Sequence, residues 1–237
     1  MRIGLDAMGG DFAPAAAVEG VLLARQWTDA DTQIVLFGDR EALEPEFRSR
    51  NANIDDYEVV HCPEVITMSD HPVQSIAKKS DSSITVGFQH LAKGAIDGFA
   101  SAGNTGAMMA GTMSYIKPVP GILRPGIAAY IPVGEKSYNL LLDVGLNADC
   151  KPEVLVQYGL LGSLYAQFVF GIEKPRIGLL SIGGEPEKGN LITKQTHELM
   201  REGGKFHFIG NVEGNELLTN QRVDVVVTDG FVGNVVL

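Results

Sequence analysis

Short apolar and β-branched runs recur along the whole sequence, and each is about as long as one β-strand. Longer segments between many of them repeat apolar residues at helical spacing. Strands and helices therefore alternate, which predicts an α/β fold of three layers, α/β/α, with a mostly parallel sheet. The predicted strands are 2–5, 33–37, 57–60, 98–100, 127–131, 140–142, 177–182, 206–209 and 223–227, and the predicted helices are 15–26, 83–93, 105–116, 152–170 and 192–202.

One stretch breaks the alternation. Residues 117–126 contain Pro118, Pro120 and Pro125 together with two glycines, a composition that excludes a regular helix or a central strand. We interpret it as a crossover between two halves of a single domain that spans 1–237. The final residues, DGFVGNVVL, stop just after a turn, where the pattern calls for another helix. We therefore expect the domain to lack its C-terminal part.

Charge and cysteine content narrow the functional classes. The formal charge of -10 argues against a broad nucleic-acid-binding surface, which would need many lysines and arginines to neutralise phosphates. Any anionic ligand must then be held by a local site. Cys62 and Cys150 lie far apart without CxxC spacing, which favours a reduced, cytoplasmic setting. No apolar run is long enough for a signal peptide or a membrane span.

Six turns rich in glycine, asparagine and aspartate each follow a predicted strand. In an open parallel sheet such turns gather at the carboxyl edge of the strands, where ligands bind. We expect a common site there, because glycine lets the backbone approach a ligand and N–H groups at a helix start suit an oxyanion. Taken singly, each turn is as well explained as a tight turn with a capping residue. The turns are DAMGGD (6–11), SAGNTGA (101–107), DVGLNAD (143–149), SIGGEPEKGN (181–190), IGNVEGN (209–215) and TDGFVGN (228–234).

The sharpest of these turns is SAGNTGA, which resembles an oxyanion cradle between a strand and an apolar helix. It lacks the P-loop lysine, and the chain has no clean GxGxxG, so nucleoside triphosphates and nicotinamide cofactors are not implied. The chain also lacks GxSxG and HExxH motifs, and its five histidines show no metal-binding spacing. We expect neither a cofactor nor a metal. His61 adjoins Cys62, and no histidine adjoins Cys150. Either cysteine could be a nucleophile, but buried or inert thiols are far commoner.

Several long blocks, in order, resemble the PlsX family of phosphate acyltransferases, the fatty acid/phospholipid synthesis proteins. The resemblance covers essentially the whole chain. It implies a fold similar to isocitrate dehydrogenases and phosphotransacetylases, a homodimer, and peripheral association of a cytoplasmic protein with the inner membrane face. The blocks are IGLDAMGGDFAP, SSITVGFQHLAKGAIDGFASAGNTGAMMAG, LRPGIAAYIP, LLLDVGLNADCKPEVLVQYGLLGSLYA, GLLSIGGEPEKGN, FIGNVEGNELL and DVVVTDGFVGNVVL.

The resemblance also implies a reaction: transfer of a long-chain fatty acyl group from acyl carrier protein to inorganic phosphate. The acyl phosphate formed would serve phospholipid synthesis through a downstream glycerol-3-phosphate acyltransferase. Lys188 and Asn234 are the implied catalytic pair, with a surface lysine and a turn asparagine as the alternative. The implied phosphate- or substrate-binding residues are Gly103, Asn104, Thr105, Asn147, Asn211 and Asp229. Asp6, Asp143 and Asp229 could instead cap the helices that follow them.

Two substrate surfaces are also expected. Lys78, Lys79, Lys117, Arg124 and Lys151 are candidate contacts for the acidic carrier protein, although the family usually has an arginine where Ala77 stands. The stripe of Met108, Met109 and Met113 could line an acyl groove, although core packing is the commoner use of such a stripe. Three other functions remain open: a phosphotransacetylase-type enzyme that uses acyl coenzyme A, a non-catalytic lipid-synthesis scaffold and, least favoured, an oxidoreductase.

Overall fold

The computed structural model describes residues 1–134, 137–219 and 222–237. These residues form two compact units, Met1–Lys117 and Pro118–Leu237. The division falls inside the proline-rich stretch at 117–126 that the sequence marked as a crossover, whereas the sequence predicted one domain over the whole chain. Each unit has its own sheet and its own core, so the strands form two sheets where one was expected.

The first unit contains four strands and five α-helices. Its elements are β1 (Arg2–Asp6), α1 (Ala15–Ala24), β2 (Gln33–Gly38), α2 (Arg40–Ser49), β3 (Glu58–His61), α3 (Pro72–Lys78), α4 (Ser83–Ala92), β4 (Gly98–Ala100) and α5 (Thr105–Gly111). The strands form one sheet in the order β3-β2-β1-β4, with all pairs parallel. A turn of π-helix, Thr112–Ile116, extends α5.

Alternation along β2 places apolar side chains on both faces of this sheet. Leu36 packs with Val18 of α1 and Phe47 of α2. Val35 and Phe37 point to the opposite face, where they join a cluster that includes partly buried side chains of α4. Helices therefore cover both faces, which is the three-layer arrangement predicted from the sequence.

The described residues of the second unit contain five strands and four helices. Its elements are β5 (Ala128–Pro132), β6 (Tyr138–Leu142), α6 (Pro152–Val169), β7 (Arg176–Leu180), α7 (Leu191–Gly203), β8 (His207–Val212), α8 (Glu216–Thr219), β9 (Val225–Val227) and α9 (Gly230–Val236). The strands form one sheet in the order β5-β6-β9-β7-β8. The edge pair β5 and β6 is antiparallel, whereas β6, β9, β7 and β8 run parallel to one another.

The core of this unit also has two sides. Leu140 of β6 packs with Tyr158 of α6 and Met200 of α7 on one face of the sheet. Leu141 faces the other way and packs with Leu217 of α8. The predicted α/β class and its largely parallel pairing are confirmed. Among the described residues, no helix is both long and apolar enough to cross a membrane.

Candidate active site

Two glycine-rich turns of the first unit meet because β1 and β4 are parallel neighbours in the sheet. Asp6, at the end of β1, is 2% exposed and accepts a 2.6 Å hydrogen bond from the Ser101 hydroxyl. That hydroxyl accepts a bond from the Gly103 N–H at 2.9 Å. A Cβ on Gly9 would lie 2.2 Å from the Asp6 carboxylate and 2.8 Å from the Gly103 nitrogen. Glycine is therefore required where the two backbones touch, and Asp6 stabilises the turns instead of capping α1.

The predicted ligand Asn104 is buried, and its side chain is already occupied. Its Oδ1 caps α5 by accepting from the Ala107 N–H at 3.0 Å. Its Nδ2 donates to the carbonyl oxygens of Thr67 and Asp70 at 3.1 and 3.2 Å. Asn104 therefore fixes the conformation of the SAGNTGA turn through backbone hydrogen bonds.

Backbone groups are the open donors of this turn. The N–H groups of Thr105 and Gly106, in the first turn of α5, have no acceptor within the described residues, and the Thr105 side chain is exposed. A cavity of about 190 Å³ adjoins Gly103 and is lined by Met8, Gly10, Val65, Ile66, Thr67, Met68 and Gly103. Thr105 and Gly106 do not line this cavity, so the oxyanion cradle stays a prediction.

The methionine stripe that follows this turn divides between core and surface. Met108 packs against the cluster around Ile84 and Phe88 of α4, whereas Met113 is 42% exposed. Core packing accounts for Met108, and the groove stays a prediction for Met113.

In the second unit, Asp143 organises the turn after β6. Its buried carboxylate accepts four hydrogen bonds: Oδ1 from the N–H groups of Ile127 and Leu146 at 3.0 and 3.2 Å, and Oδ2 from the N–H and side-chain amide of Asn147 at 2.8 and 3.0 Å. The Asn147 amide also lies 2.7 Å from the Pro125 carbonyl oxygen and 2.8 Å from the Tyr158 hydroxyl. Asn147, a predicted ligand, therefore bonds to its own turn.

Helix α9 packs directly on that turn and carries Asn234. A Cβ on Gly233 would lie 1.9 Å from the Asp143 carbonyl oxygen, so the helix reaches this distance only with glycine there. Asp229 caps α9 by accepting from the Val232 N–H at 2.8 Å, as the alternative to a ligand role anticipated. The exposed Asn234 side chain lies over Gly145, with its Oδ1 3.1 Å from where a Cβ on that glycine would be. Gly145 has a φ of 119°, a second reason for glycine.

Lys188 lies in the turn between β7 and α7. Its stem crosses Gly183, where a Cβ would be 2.8 Å from Lys188 Cγ. Its side chain is exposed, and its ammonium group has no ion-pair partner within the described residues. Asn211 of β8 is buried; its amide donates to the Glu185 carbonyl at 2.7 Å, and its Oδ1 lies 2.9 Å from His197 Nδ1. Asn211 therefore holds the turn that presents Lys188.

Four predicted turns thus lie at one edge of the second sheet, since each follows one of the mutually parallel strands β6, β9, β7 and β8. The other two lie together at the corresponding edge of the first sheet. Three of the predicted site residues belong to the turns of the first sheet: Gly103, Asn104 and Thr105. Five belong to the second sheet and its turns: Asn147, Lys188, Asn211, Asp229 and Asn234.

Sequence reasoning missed the Ser181 hydroxyl. It is buried at the carboxyl end of β7, 3.1 Å from where a Cβ on Gly189 would lie, and has no hydrogen-bond partner within the described residues. Leaving a buried hydroxyl unbonded costs free energy, so such a group calls for an explanation. Nothing in the letter sequence distinguishes this serine from a capping residue.

Replacing Ser181 by alanine should raise the melting temperature, because the substitution removes a buried hydroxyl whose desolvation costs about 1–3 kcal/mol when it is unpaired. Ser82 is the matched control: it is buried, caps α4 and has a hydroxyl that donates to the Lys79 carbonyl at 2.9 Å. Ser82→Ala should lower the melting temperature. Thermal unfolding of both variants followed by circular dichroism checks the contrast, and an equal loss in both would show that Ser181 is bonded in solution.

The cysteines are unsuited to nucleophilic attack. Both are buried, and burial raises the pKa of the Cys62 thiol to about 12, helped by the charge of Asp6. Burial also raises the pKa of Cys150, followed by the effect of Asp143. Both thiols stay protonated at neutral pH. No group of three or more potential metal ligands occurs within the described part of the chain.

Comparison with known proteins identifies the family. The family model described as fatty acid synthesis protein matches residues 1–237. A protein named phosphate acyltransferase from Caldicellulosiruptor bescii is 45% identical over 237 residues, covering 100% of this chain and 70% of the relative. One of the same name from Bacillus subtilis gives the same values of 45%, 100% and 70%.

Solved structures agree on the fold. The EutD phosphotransacetylase from Staphylococcus aureus superposes with a TM-score of 0.66 at 16% identity, covering 99% of this chain and 79% of its own. At that identity the likeness concerns the fold alone, and it confirms the predicted similarity to phosphotransacetylases. The family model and the relatives at 45% identity carry the assignment further. The chain therefore belongs to the fatty acid synthesis protein family of phosphate acyltransferases.

Proposed function

We propose that this enzyme transfers a long-chain fatty acyl group from acyl carrier protein to inorganic phosphate and thereby makes acyl phosphate for phospholipid synthesis. The observation that carries the proposal is the chemistry of the two groups of turns. The first unit offers backbone N–H donors at Thr105 and Gly106, the second offers an unpaired cation at Lys188, and both cysteines are buried and protonated. Each of these features suits an anionic nucleophile supplied by the substrate. The name of the relatives supports phosphate as the acceptor.

The reaction needs no nucleophile from the protein. A phosphate oxygen attacks the thioester carbonyl carbon, the carbonyl oxygen becomes an oxyanion, and the carbon–sulfur bond breaks as the acyl phosphate forms. The thiolate leaves readily because the pKa of an ordinary thiol is about 8.5. The enzyme contributes positioning and charge stabilisation, and orientation can supply roughly 7–11 kcal/mol in favourable cases.

We assign the roles as follows. Thr105 binds phosphate through its backbone N–H, and Gly103, whose own N–H is bonded to Ser101, lines the adjoining cavity. Lys188 neutralises the phosphate or the developing oxyanion, and Asn234 donates its side-chain amide to the thioester oxygen. Their free side chains support these roles, since neither Lys188 nor Asn234 has a bonding partner within the described residues.

The remaining predicted ligands act one step further from the substrate in this proposal. Their hydrogen bonds run to the turns or to neighbouring backbone: Asn104 to the carbonyls of Thr67, Met68 and Asp70, Asn147 to Asp143, Asn211 to the Glu185 carbonyl, and Asp229 to the first turn of α9. Each therefore fixes the shape of a turn that carries a proposed contact. This support is the kind that precise transition-state stabilisation requires.

A donor comparison tests the proposal. Full-length protein is incubated with either palmitoyl carrier protein or palmitoyl coenzyme A, with and without phosphate, and acyl phosphate formation is followed as the phosphate-dependent release of free thiol. We expect efficient formation from the carrier protein and much slower formation from the coenzyme. A strong preference for the coenzyme would instead favour a phosphotransacetylase-type function, and no product from either donor would favour the scaffold. Homodimerisation, peripheral attachment to the inner membrane face and hand-over to a glycerol-3-phosphate acyltransferase stay predictions.

A further inference from the structure

A segment without helix or strand, residues 64–70, lies against the SAGNTGA turn, and we call it the 64–70 strap. Lys79, just after α3, anchors it twice. Its ammonium group donates to the Val65 carbonyl at 2.7 Å and to Asp70 Oδ2 at 2.6 Å. The same Asp70 oxygen accepts from the Thr67 N–H at 2.7 Å. Lys79 and Asp70 therefore tie both ends of the strap together.

The strap is also tied to the predicted cradle. The Asn104 amide donates to three carbonyl oxygens of the strap, those of Thr67, Met68 and Asp70. Four strap residues, 65–68, form one side of the 190 Å³ cavity whose other side includes Gly10 and Gly103. The position of the strap therefore sets the width of that cavity.

Two adjacent lysines differ in what they contact. The Lys79 side chain is 31% exposed and engaged, whereas Lys78 is exposed and has no partner among the residues described. The hydrogen bond from Lys79 lowers the pKa of Asp70, so this carboxylate stays charged at neutral pH. The sequence had grouped both lysines as carrier-protein contacts, but Lys79 uses its charge inside its own unit.

We propose that Lys79, paired with Asp70, is a positioning residue that holds the 64–70 strap over Gly103 and so sets the geometry of phosphate binding. The inference rests on the proposed function, because it takes the SAGNTGA turn as the phosphate site. An ion pair this exposed adds little to global stability. Its loss should loosen the strap while leaving the fold intact, so the effect belongs in phosphate binding.

Steady-state kinetics of the full-length protein test this inference. The concentrations of phosphate and of the acylated carrier protein are varied in turn. Lys79→Ala should raise the KM for phosphate about tenfold, and up to about 100-fold if the strap shifts by 1 Å. Asp70→Asn, which removes the partner charge, should reproduce the change. The effect of the double variant should be smaller than the two single effects combined, because both substitutions remove the Lys79–Asp70 contact. Lys78→Ala is the matched control and should leave the KM for phosphate unchanged.

A second measurement does not depend on turnover. Hydrogen–deuterium exchange should be faster over residues 64–70 in Lys79→Ala and Asp70→Asn than in the wild type and in Lys78→Ala, with unchanged protection of the β1–β2 pair. Equal exchange in all four proteins would overturn the inference. So would a rise in the KM for carrier protein shared by Lys78→Ala and Lys79→Ala with no change for phosphate. Failure of the proposed function has a different signature, namely a wild-type enzyme that makes no acyl phosphate while the exchange result stands.

Discussion

Lys188→Ala should lower kcat by roughly 100-fold to 1000-fold, the range seen when one oxyanion-stabilising donor is removed from an enzyme. The lysine is exposed, and its aliphatic stem packs against the backbone of Gly183. Its ammonium group has no ion-pair partner among the described residues, so its charge is available to a ligand. The fold should not change, because the side chain makes no hydrogen bond that the turn needs; Asn211 supplies that support. Rates of acyl phosphate formation at saturating substrates measure the effect.

Lys194→Ala is the control for charge alone. Lys194 is exposed on α7, six positions further along the chain, and its replacement also removes one positive charge. Its kcat should equal that of the wild type. Lys188→Arg should recover part of the activity, since it keeps the charge but changes the geometry of the donors. Wild-type rates in Lys188→Ala, with a confirmed fold, would remove Lys188 from the mechanism.

The elements that the sequence predicted are those with strong periodicity. All nine predicted strands and all five predicted helices are present in the structure. Helix α2 was missed because Pro45 lies inside it and only Leu43 and Phe47 are buried, so the charged residues dominate its pattern. Its start carried a signal that could have been used: Asp39 caps it by accepting from the Glu41 N–H.

The number of sheets and the direction of each strand could not be predicted from the sequence, because both depend on contacts between residues far apart along the chain. The runs at 127–131 and 140–142 were correctly placed as strands, but nothing in either run indicates that they pair antiparallel. Likewise, an apolar run indicates a buried strand without indicating which sheet it joins. The strands therefore divide between two cores, and the prolines near 118–125 were the one local sign of the division.

The site shows a similar limit. Glycine after a strand correctly placed six turns at carboxyl edges of sheets, because backbone geometry restricts those positions. The type of a polar residue did not reveal its partner. Asn104, Asn147 and Asn211 were all predicted to bind substrate, yet each donates to a carbonyl of its own unit. An asparagine that binds a ligand and one that fixes a turn have the same letter and the same neighbours in sequence.

Asp143→Asn should destabilise the second unit by about 3–5 kcal/mol, although the substitution changes almost nothing in volume. Each carboxylate oxygen accepts two hydrogen bonds from N–H donors. An amide offers an acceptor on one side only, so its NH₂ group must face two donors that are then left unbonded. Asp143 is 0% exposed, and water cannot replace the lost partners. Chemical denaturation of the purified protein measures the change.

Asp149→Asn provides the comparison, because Asp149 belongs to the same turn but is exposed. Its stability should match the wild type. Asp143→Asn should also reduce activity at temperatures where the protein remains folded, because α9 rests on the Asp143 backbone and presents Asn234 over Gly145. If Asp143→Asn were as stable as Asp149→Asn, the hydrogen bonds of the Asp143 carboxylate could not be what holds this turn together. The position of Asn234 would then have to be fixed by other contacts.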